Sequence, residues 1–151
     1  MIRAFIGFGS NLGDRAAHFR WALKRLEDDA GFKILRISRF RETTPEGEGY
    51  RAPFLNAVVA VETSLTPRAL LASLLDWEIR RGRVRPLPDR SLDLDLLLYG
   101  SVVLEDPDLV LPHPRMEDRR FVLEPLAEIA PFVHLPNGAT PSACLQKLQR
   151  N

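Results

Sequence analysis

The sequence has few of the features that direct a protein out of the cytosol. Cys144 is the sole cysteine, so no disulfide can form within the chain, which is compatible with a reducing compartment. No apolar run reaches the roughly 18 residues that a membrane-spanning helix needs. The N-terminus also lacks a charged segment followed by a long apolar run, which a secretion signal would show. We therefore expect a cytosolic protein without a membrane span.

A large net charge is also missing. The 21 basic and 20 acidic residues leave a formal net charge of +1, so no overall field draws the protein to nucleic acid or to a membrane surface. Lysine is scarce, at positions 24, 33 and 147 only, and the other basic residues are arginines, which suit bidentate contacts with phosphate or carboxylate. At 151 residues the chain can bury a core without disulfides. We expect a single domain over 1–151, acting as a monomer.

Hydrophobic patterning predicts both helices and strands. One helix is expected from a cap at Asp14 to a stop at Gly31, and another from Thr66 and Pro67 to Gly82. Apolar or alternating runs predict strands within 2–8, 32–43, 54–63 and 90–100. The resulting order of elements is the split βαβ arrangement. We therefore expect an α+β fold, a ferredoxin-like antiparallel sheet with a βαββαβ core and helices packed on it.

The final third of the chain is expected to add shorter elements to this core. The pattern predicts a short strand at 101–105, a helix from about Phe121, an extended piece near Val133, and a closing helix capped by Thr140 and Pro141. No internal repeat or low-complexity linker interrupts the chain. These elements are therefore expected to belong to the same domain.

One predicted strand, RSLDLDLLLYG at 90–100, carries two acids. Alternate side chains of a strand share a face, so Asp93 and Asp95 are expected on one face, together with Leu97 and Tyr99. The other face is expected to carry Leu92, Leu94, Leu96 and Leu98. The acids could lie on the solvated face of a half-buried strand. Alternatively they could bind a cation, because paired carboxylates repel unless a positive group lies between them, and hard oxygen ligands suit Mg²⁺.

Arginines precede this acid pair. Arg83, Arg85 and Arg90 lie in a proline-containing loop that leads directly into the two carboxylates. Mg²⁺ can bridge phosphate oxygens while guanidinium groups neutralise the remaining charge. The combination favours a polyphosphate site over a solvated charged face.

The stretch GFGSNLGDR between the first strand and the first helix is rich in glycine. Gly7, Gly9 and Gly13 are spaced one residue too widely for a dinucleotide fingerprint, and an antiparallel fold lacks the parallel crossover which that fingerprint requires. The stretch therefore indicates either a tight turn or the glycine-lined wall of a small-molecule pocket, since glycine allows close approach to the backbone.

Two other polar residues are candidates for ligand contacts. His113 lies between two prolines in LPHPRMEDRRF, as either a structural residue or a donor to phosphate. Asn56 is expected on the strand face that carries Phe54 and Val58. A buried amide needs hydrogen-bond partners, which a flat heterocycle could supply.

A function of another class is compatible with the predicted fold, namely a non-catalytic ferredoxin-like module that binds RNA on its sheet. Such a module needs a basic face with exposed stacking aromatics. The near-neutral net charge and the acid pair on a strand argue against it.

Four segments, in order, resemble the 6-hydroxymethyl-7,8-dihydropterin pyrophosphokinase family of the folate pathway. They are IGFGSNLGD, ETTPEG with FLNAVVAVETSL, RSLDLDLLLYG, and LPHPRMEDRRFVLEPLAEIAP. The last two are the most specific, and together the segments span nearly the whole chain. The resemblance implies a ferredoxin-like sheet, a requirement for ATP and Mg²⁺, and transfer of an intact pyrophosphoryl group to the pterin hydroxymethyl group, leaving AMP.

The resemblance also implies roles for individual residues. Two Mg²⁺ ions would be bound by Asp93 and Asp95. Catalytic roles are implied for Arg83, Arg85, Arg90 and Asp95, of which the first two lie on what resembles a mobile loop that closes over ATP. Nucleotide contacts are implied for Glu78, Arg85, Arg90, His113 and Arg119. Pterin contacts are implied for Thr43, Pro45, Phe54, Asn56 and Phe121. The expected partners are therefore two small molecules, with no nucleic acid or membrane.

Overall fold

Residues 1–44, 52–83 and 89–149, which the computed structural model describes, form seven β-strands and four α-helices. The strands are β1 (Ile2–Ser10), β2 (Phe32–Ile37), β3 (Arg41–Thr43), β4 (Phe54–Thr63), β5 (Asp93–Tyr99), β6 (Leu104–Asp106) and β7 (Leu109–Leu111). The helices are α1 (Arg15–Asp28), α2 (Pro67–Arg80), α3 (Arg120–Ile129) and α4 (Pro141–Gln149), with a short 3-10 turn at Met116–Asp118. No helix in these ranges is long and apolar enough to cross a bilayer.

The main sheet has the strand order of a ferredoxin-like fold. Its order is β2-β4-β1-β5, each neighbouring pair is antiparallel, and the short β3 also pairs with β4. β1 therefore lies in the interior of the sheet, between the strand that precedes α2 and the strand that follows it. This is the βαββαβ topology expected from the order of elements, so the predicted fold is confirmed.

Side-chain caps begin three helices where the sequence predicts them. The Asp14 carboxylate accepts a hydrogen bond from the backbone N–H of Ala17 (3.0 Å), and the Thr66 hydroxyl accepts one from Ala69 (3.2 Å). Thr140 has the same role at the start of α4. A cap of this kind stabilises a helix by about 1 kcal/mol because it satisfies an N–H group that has no partner within the helix.

Two apolar cores lie on opposite faces of the sheet. α1 and α2 cover one face, here called the α1 face, and α3 and α4 cover the other, here called the α3 face. The α1-face core includes Ile6, Phe19, Leu26, Val59, Leu70 and Leu74. The α3-face core includes Phe5, Val58, Leu97, Leu123 and Leu126. Because helices cover both faces in the described part of the chain, the sheet offers no open surface for stacking RNA bases, which argues against the RNA-binding alternative.

A β-bulge in β5 changes which leucines share a face. Leu96 and Leu98 pair with consecutive residues of β1, so Leu97 is the additional residue of the bulge. Leu97 and Leu98 therefore both pack in the α3-face core, whereas Tyr99 packs in the α1-face core. The prediction that Leu98 shares a face with Leu96, and Tyr99 with the acids, was wrong because strict alternation ends at the bulge.

A two-stranded hairpin of β6 and β7 follows the main sheet. β6 begins at Leu104, later than the strand predicted at 101–105, and β7 lies in the proline-rich passage where none was predicted. Arg68 of α2 holds this hairpin, since it donates to Asp108 at 2.9 Å and forms an ion pair with Asp106. The expected extended piece near Val133 is not a strand. Three-residue strands show too little alternation to be located from the sequence.

The packing predicts a large difference between two phenylalanine substitutions. Phe19 is 0% exposed and contacts the rings of Phe8 and Phe40 edge-on, at centroid distances of 5.5 and 5.0 Å. Phe19→Ala should lower the free energy of unfolding by roughly 3 to 5 kcal/mol, because a cavity replaces a buried ring. Phe132 is 87% exposed, so Phe132→Ala is the matched control and should change stability by less than about 0.5 kcal/mol. Urea unfolding monitored by circular dichroism measures both, and similar losses would contradict the packing described above.

Candidate functional site

Three adjacent strands bring the candidate residues together on the α3 face. In the register of β4, β1 and β5, Asn56 lies opposite Gly9, which lies opposite Asp93. The next row on the same face contains Gly7 between β4 and Asp95. The amide and the two acids, far apart in the sequence, are therefore separated only by the glycine-containing β1.

Gly9 keeps this gap open. A Cβ atom at this position would lie 3.5 Å from Nδ2 of Asn56, 3.6 Å from Cβ of Asp93 and 3.7 Å from Cδ1 of Phe54. These are ordinary contact distances, so even a methyl group would fill the space between the amide and the acid. A small cavity of about 20 Å³ lies beside this gap, lined by Gly7, Gly9, Asn56, Asp93, Asp95 and Phe121 among others. The glycine-rich stretch thus forms a pocket wall as well as leading into a turn.

Thr43 orients the Asn56 amide. Asn56 is buried, and its Oδ1 accepts a hydrogen bond from the Thr43 hydroxyl. Thr43 is placed for this contact because β3 pairs with β4 and sets it opposite Phe54. With Oδ1 accepting from Thr43, Nδ2 lies on the side of Gly9. The expected pterin contact Pro45 lies outside the described residues.

Each of the two aromatic rings expected at the pterin pocket has an arginine over its face. The Arg90 guanidinium carbon lies 5.2 Å from the ring centroid of Phe54, and that of Arg119 lies 5.5 Å from the ring centroid of Phe121. At these distances the cation is attracted by the negative face of the ring. The two rings are therefore in direct contact with two of the residues expected to bind the nucleotide.

A larger pocket, of about 490 Å³, runs along the outer edge of β5. The expected nucleotide contacts among the described residues all line it, namely Glu78, Arg90, His113 and Arg119. Arg83 lines it as well, whereas Arg85 lies outside the described residues. Asp93 and Asp95 line both this pocket and the small cavity beside Asn56. The two acids therefore lie at the boundary between the two spaces.

Asp93 is neutralised by two arginines. Its Oδ1 lies 3.0 Å from a terminal nitrogen of Arg83, and its Oδ2 lies 3.3 Å from one of Arg90. The Arg83 side chain is 7% exposed and also lies 3.8 Å from Glu78. Glu78 in turn accepts a hydrogen bond from the backbone N–H of Leu94 at 2.7 Å. This contact gives a partner to an N–H group that faces outward from the edge strand β5. Glu78 thus anchors the strand that carries the acids.

Asp95 has a different environment from Asp93. Within the described ranges no side chain forms a hydrogen bond or salt bridge with its carboxylate. Burial, followed by the negative charges of Asp93 and Glu78, raises the pKa of the Asp95 carboxyl from 3.8 to about 7. The charges of Arg119 and Arg90 lower this pKa only in part, and a cation beside the carboxylate would offset the remaining repulsion.

This donor set fits Mg²⁺. The described residues contain no cluster of three or more His, Cys, Asp and Glu side chains suited to a metal. Mg²⁺ commonly uses only one or two carboxylates, with water and substrate phosphates as the other ligands. Two partly buried acids beside a pocket rich in arginine match that pattern, and Asp93 and Asp95 are the residues that would hold the metal.

His113 lines the larger pocket as a neutral imidazole. Its backbone N–H donates to the carbonyl of Leu97 at 2.9 Å, which attaches this loop to the edge of β5. Burial, followed by the charge of Arg119, lowers the pKa of the His113 imidazole. Its Nδ1 accepts the backbone N–H of Arg115 at 3.3 Å, so Nε2 carries the proton of the neutral ring. His113 is therefore a donor through Nε2.

Asn11 is a site residue that sequence reasoning missed. It follows directly after β1, is 3% exposed, and forms hydrogen bonds with Asp89 and Arg90. The glycines around it indicate a turn or a pocket wall, and neither interpretation assigns a role to the Asn11 side chain. The available signal was a polar side chain directly after a buried strand, where its partners must come from another segment of the chain.

Comparisons with known proteins show sequence similarity to one family of enzymes. A sequence model of the family described as 7,8-dihydro-6-hydroxymethylpterin-pyrophosphokinase (HPPK) matches residues 5–131. A curated relative from Methylorubrum extorquens, named 2-amino-4-hydroxy-6-hydroxymethyldihydropteridine pyrophosphokinase, is 42% identical over 98% of this chain and 94% of its own length. A relative of the same name from Bacillus subtilis is 42% identical over 83% of this chain and 77% of its own length.

Solved structures share the fold at low sequence identity. A crystal structure of HPPK-DHPS in complex with substrates has a TM-score of 0.76 and 14% identity, covering 97% of this chain and 43% of that one. HPPK-DHPS from Plasmodium falciparum with pteroate has a TM-score of 0.74 and 15% identity, covering 97% of this chain and 42% of that one. This chain thus spans less than half the length of those chains, and the likeness is one of fold.

The raised pKa of Asp95 predicts that stability depends on pH. Because this pKa is higher in the folded protein than in the unfolded chain, the folded state binds more protons between about pH 4 and pH 7. The free energy of unfolding should therefore fall as pH rises through this range. Asp95→Asn cannot titrate, so its stability relative to wild type should rise across the range, by roughly 1 to 4 kcal/mol in total, and level off above it.

Urea unfolding from pH 4 to 8 in buffer with a chelator measures this difference. Glu105→Gln is the control, since Glu105 is an exposed carboxylate on β6 outside both pockets. The control should show no such trend. An Asp95→Asn advantage that stays constant with pH would contradict the raised pKa.

Proposed function

Because the chain belongs to the 7,8-dihydro-6-hydroxymethylpterin-pyrophosphokinase (HPPK) family, we propose that it transfers pyrophosphate from ATP to 6-hydroxymethyl-7,8-dihydropterin in folate biosynthesis. The observation that carries the proposal is that Asp93 and Asp95 line both a pocket of about 490 Å³ rich in arginine and the small cavity beside Asn56 and Phe121. A transfer reaction needs its two substrates to meet, and the acids lie where the two spaces meet.

The space beside Gly9, of which the small cavity is one part, is the proposed pterin site. The Asn56 amide would hydrogen-bond the edge of the pterin ring, because Thr43 holds its Oδ1 and leaves Nδ2 towards the cavity. Phe54 and Phe121 would stack on the ring, since aromatic faces bind flat heterocycles. Both rings already contact arginines, so a pterin here would lie beside Arg90 and Arg119.

The larger pocket is the proposed ATP site. Arg83, Arg90 and Arg119 supply positive charge along it, and His113 adds a neutral N–H donor at Nε2. Guanidinium groups bind phosphate oxygens in bidentate fashion. Because Arg83 and Arg90 both contact Asp93, they would lie beside a phosphate chain held at that acid.

The proposed step is in-line attack by the pterin hydroxymethyl oxygen on the β-phosphorus of ATP. A bond from this oxygen to the β-phosphorus forms, the bond from the β-phosphorus to the bridging α,β-oxygen breaks, AMP leaves, and the hydroxyl proton passes to solvent. Two Mg²⁺ ions bound by Asp93 and Asp95 would supply further charge neutralisation on the phosphates. The arginines of this chain would orient the phosphate chain and stabilise the charge that develops on the leaving oxygen.

Formation of AMP tests the proposed reaction. Incubated with ATP, Mg²⁺ and 6-hydroxymethyl-7,8-dihydropterin, the protein should produce AMP and the pterin pyrophosphate in equal amounts, which chromatography measures. Asp95→Ala should abolish AMP formation, by at least about a thousandfold, while pterin still binds, because the lost carboxylate acts on the phosphates. Glu105→Ala, which removes an exposed acid outside both pockets, is the control. If Asp95→Ala formed AMP at the wild-type rate, the metal role of Asp95 would be refuted.

The assignment of the two pockets has a separate test. Asn56→Ala should weaken pterin binding by about tenfold or more, because a buried amide that pairs with the ligand is lost. Affinity for a non-hydrolysable ATP analogue should change by less than about twofold. Isothermal titration calorimetry measures the dissociation constants of the pterin and of the ATP analogue. Asn137→Ala, which removes an exposed amide distant in the sequence from Asn56, is the control. The opposite pattern would mean that the two pockets are assigned the wrong way round.

A further inference from the structure

Asn11 connects three separate segments of the chain through one buried side chain. Its Nδ2 donates to a carboxylate oxygen of Asp89 at 2.7 Å and to the carbonyl oxygen of Ala52 at 3.3 Å. Its Oδ1 accepts the backbone N–H of Arg90 at 2.7 Å, and its own backbone N–H donates to the Arg90 carbonyl at 3.0 Å. The end of β1 is thereby tied to the segment before β4 and to the segment before β5.

The chemistry of these contacts requires an amide at this position. Arg90 N–H can only donate, so it needs the Oδ1 atom, whereas the Asp89 carboxylate and the Ala52 carbonyl can only accept, so they need the Nδ2 group. An aspartate at position 11 would keep the first contact but would repel Asp89. An alanine would lose every side-chain contact and leave buried polar groups unpaired.

The segments that Asn11 holds end at residues of the two proposed pockets. Ala52 lies two positions before Phe54 in the sequence. The Phe54 ring lies beside Gly9, at the wall of the proposed pterin site. Arg90 contacts the face of that same ring at 5.2 Å and forms an ion pair with Asp93 at 3.3 Å. Asn11 therefore contacts both of the chain segments that carry Phe54 and Arg90.

We propose that Asn11 is a positioning residue that sets Phe54 and Arg90 relative to each other and so links the pterin pocket to the nucleotide pocket. It acts through these two residues and contacts neither proposed substrate. The naming of the two ligands rests on the proposed function, whereas the positioning itself rests on the contacts of Asn11.

Binding measurements test the link. Asn11→Ala should raise the dissociation constants of both the pterin and a non-hydrolysable ATP analogue about tenfold, which corresponds to about 1.4 kcal/mol for each. Thr63→Val is the matched control: Thr63 is buried at the other end of β4, where its hydroxyl donates to Gly31 at 2.8 Å and accepts from Leu65 at 3.0 Å. It should lower the melting temperature comparably and leave both affinities unchanged. If Asn11→Ala lost stability but kept both affinities, Asn11 would be structural only and the proposal would be overturned.

An exchange of side chains between positions 11 and 89 provides a rescue. Asn11→Asp alone should weaken both affinities, because two carboxylates then face each other. In the double variant Asn11→Asp with Asp89→Asn, the asparagine introduced at 89 can donate to the aspartate introduced at 11, so both affinities should be closer to wild type than in Asn11→Asp. Recovery should be incomplete, because the Ala52 carbonyl still lacks its donor. A double variant that binds no better than Asn11→Asp would overturn the proposal.

Hydrogen exchange separates this proposal from the proposed function. In Asn11→Ala, peptides covering 52–56 and 89–94 should exchange faster than in wild type, including at amides that Asn11 does not contact, whereas Thr63→Val should leave these segments unchanged. Unchanged exchange in both segments would overturn the positioning role even if the enzyme is active. If the wild-type protein formed no AMP, the proposed function would fail, and the positioning of Phe54 and Arg90 would still be decided by this measurement.

Discussion

The repulsion between two partly buried carboxylates on β5 is the constraint on which the site depends. Asp93 and Asp95 share a face of the strand, and Glu78 adds a third negative charge nearby. Arg83 and Arg90 neutralise Asp93, whereas Asp95 lacks such a partner in the described part of the chain. A protein keeps an arrangement of this kind at a cost in stability, and this cost supports the proposal that the site binds cations and phosphates.

The architecture around the acids follows from the strand order. β1 lies between β4 and β5, and its glycines leave a gap with the Asn56 amide on one side and the acids on the other. The edge position of β5 leaves its outer side free for a larger pocket, which the charged side chains line. One end of a small antiparallel sheet thus places the proposed pterin site and the proposed ATP site on either side of the same two carboxylates.

Much of the fold and part of the site could be predicted because they depend on local signals. Helix starts at Asp14 and Thr66 follow from side chains that accept N–H groups in the next turn. The shared face of Asp93 and Asp95 follows from alternation within one short strand. The bulge at Leu97 could not be predicted, because it arises from how β5 pairs with β1. The expected roles of Pro45 and Arg85 fall outside the described residues and stay predictions.

By itself the sequence determined the order of the βαββαβ core elements, the antiparallel α+β class and the presence of an acid pair preceded by arginines. These features depend on periodicity and on neighbours a few residues apart, which a linear pattern contains. Only the tertiary structure decided that Asn56 and Asp93 lie on either side of Gly9, that Arg90 covers Phe54, and that Asn11 joins two distant segments. These contacts depend on strand register and on loop positions, and the burial that shifts the pKa of Asp95 exists only once the sheet and its helices have packed.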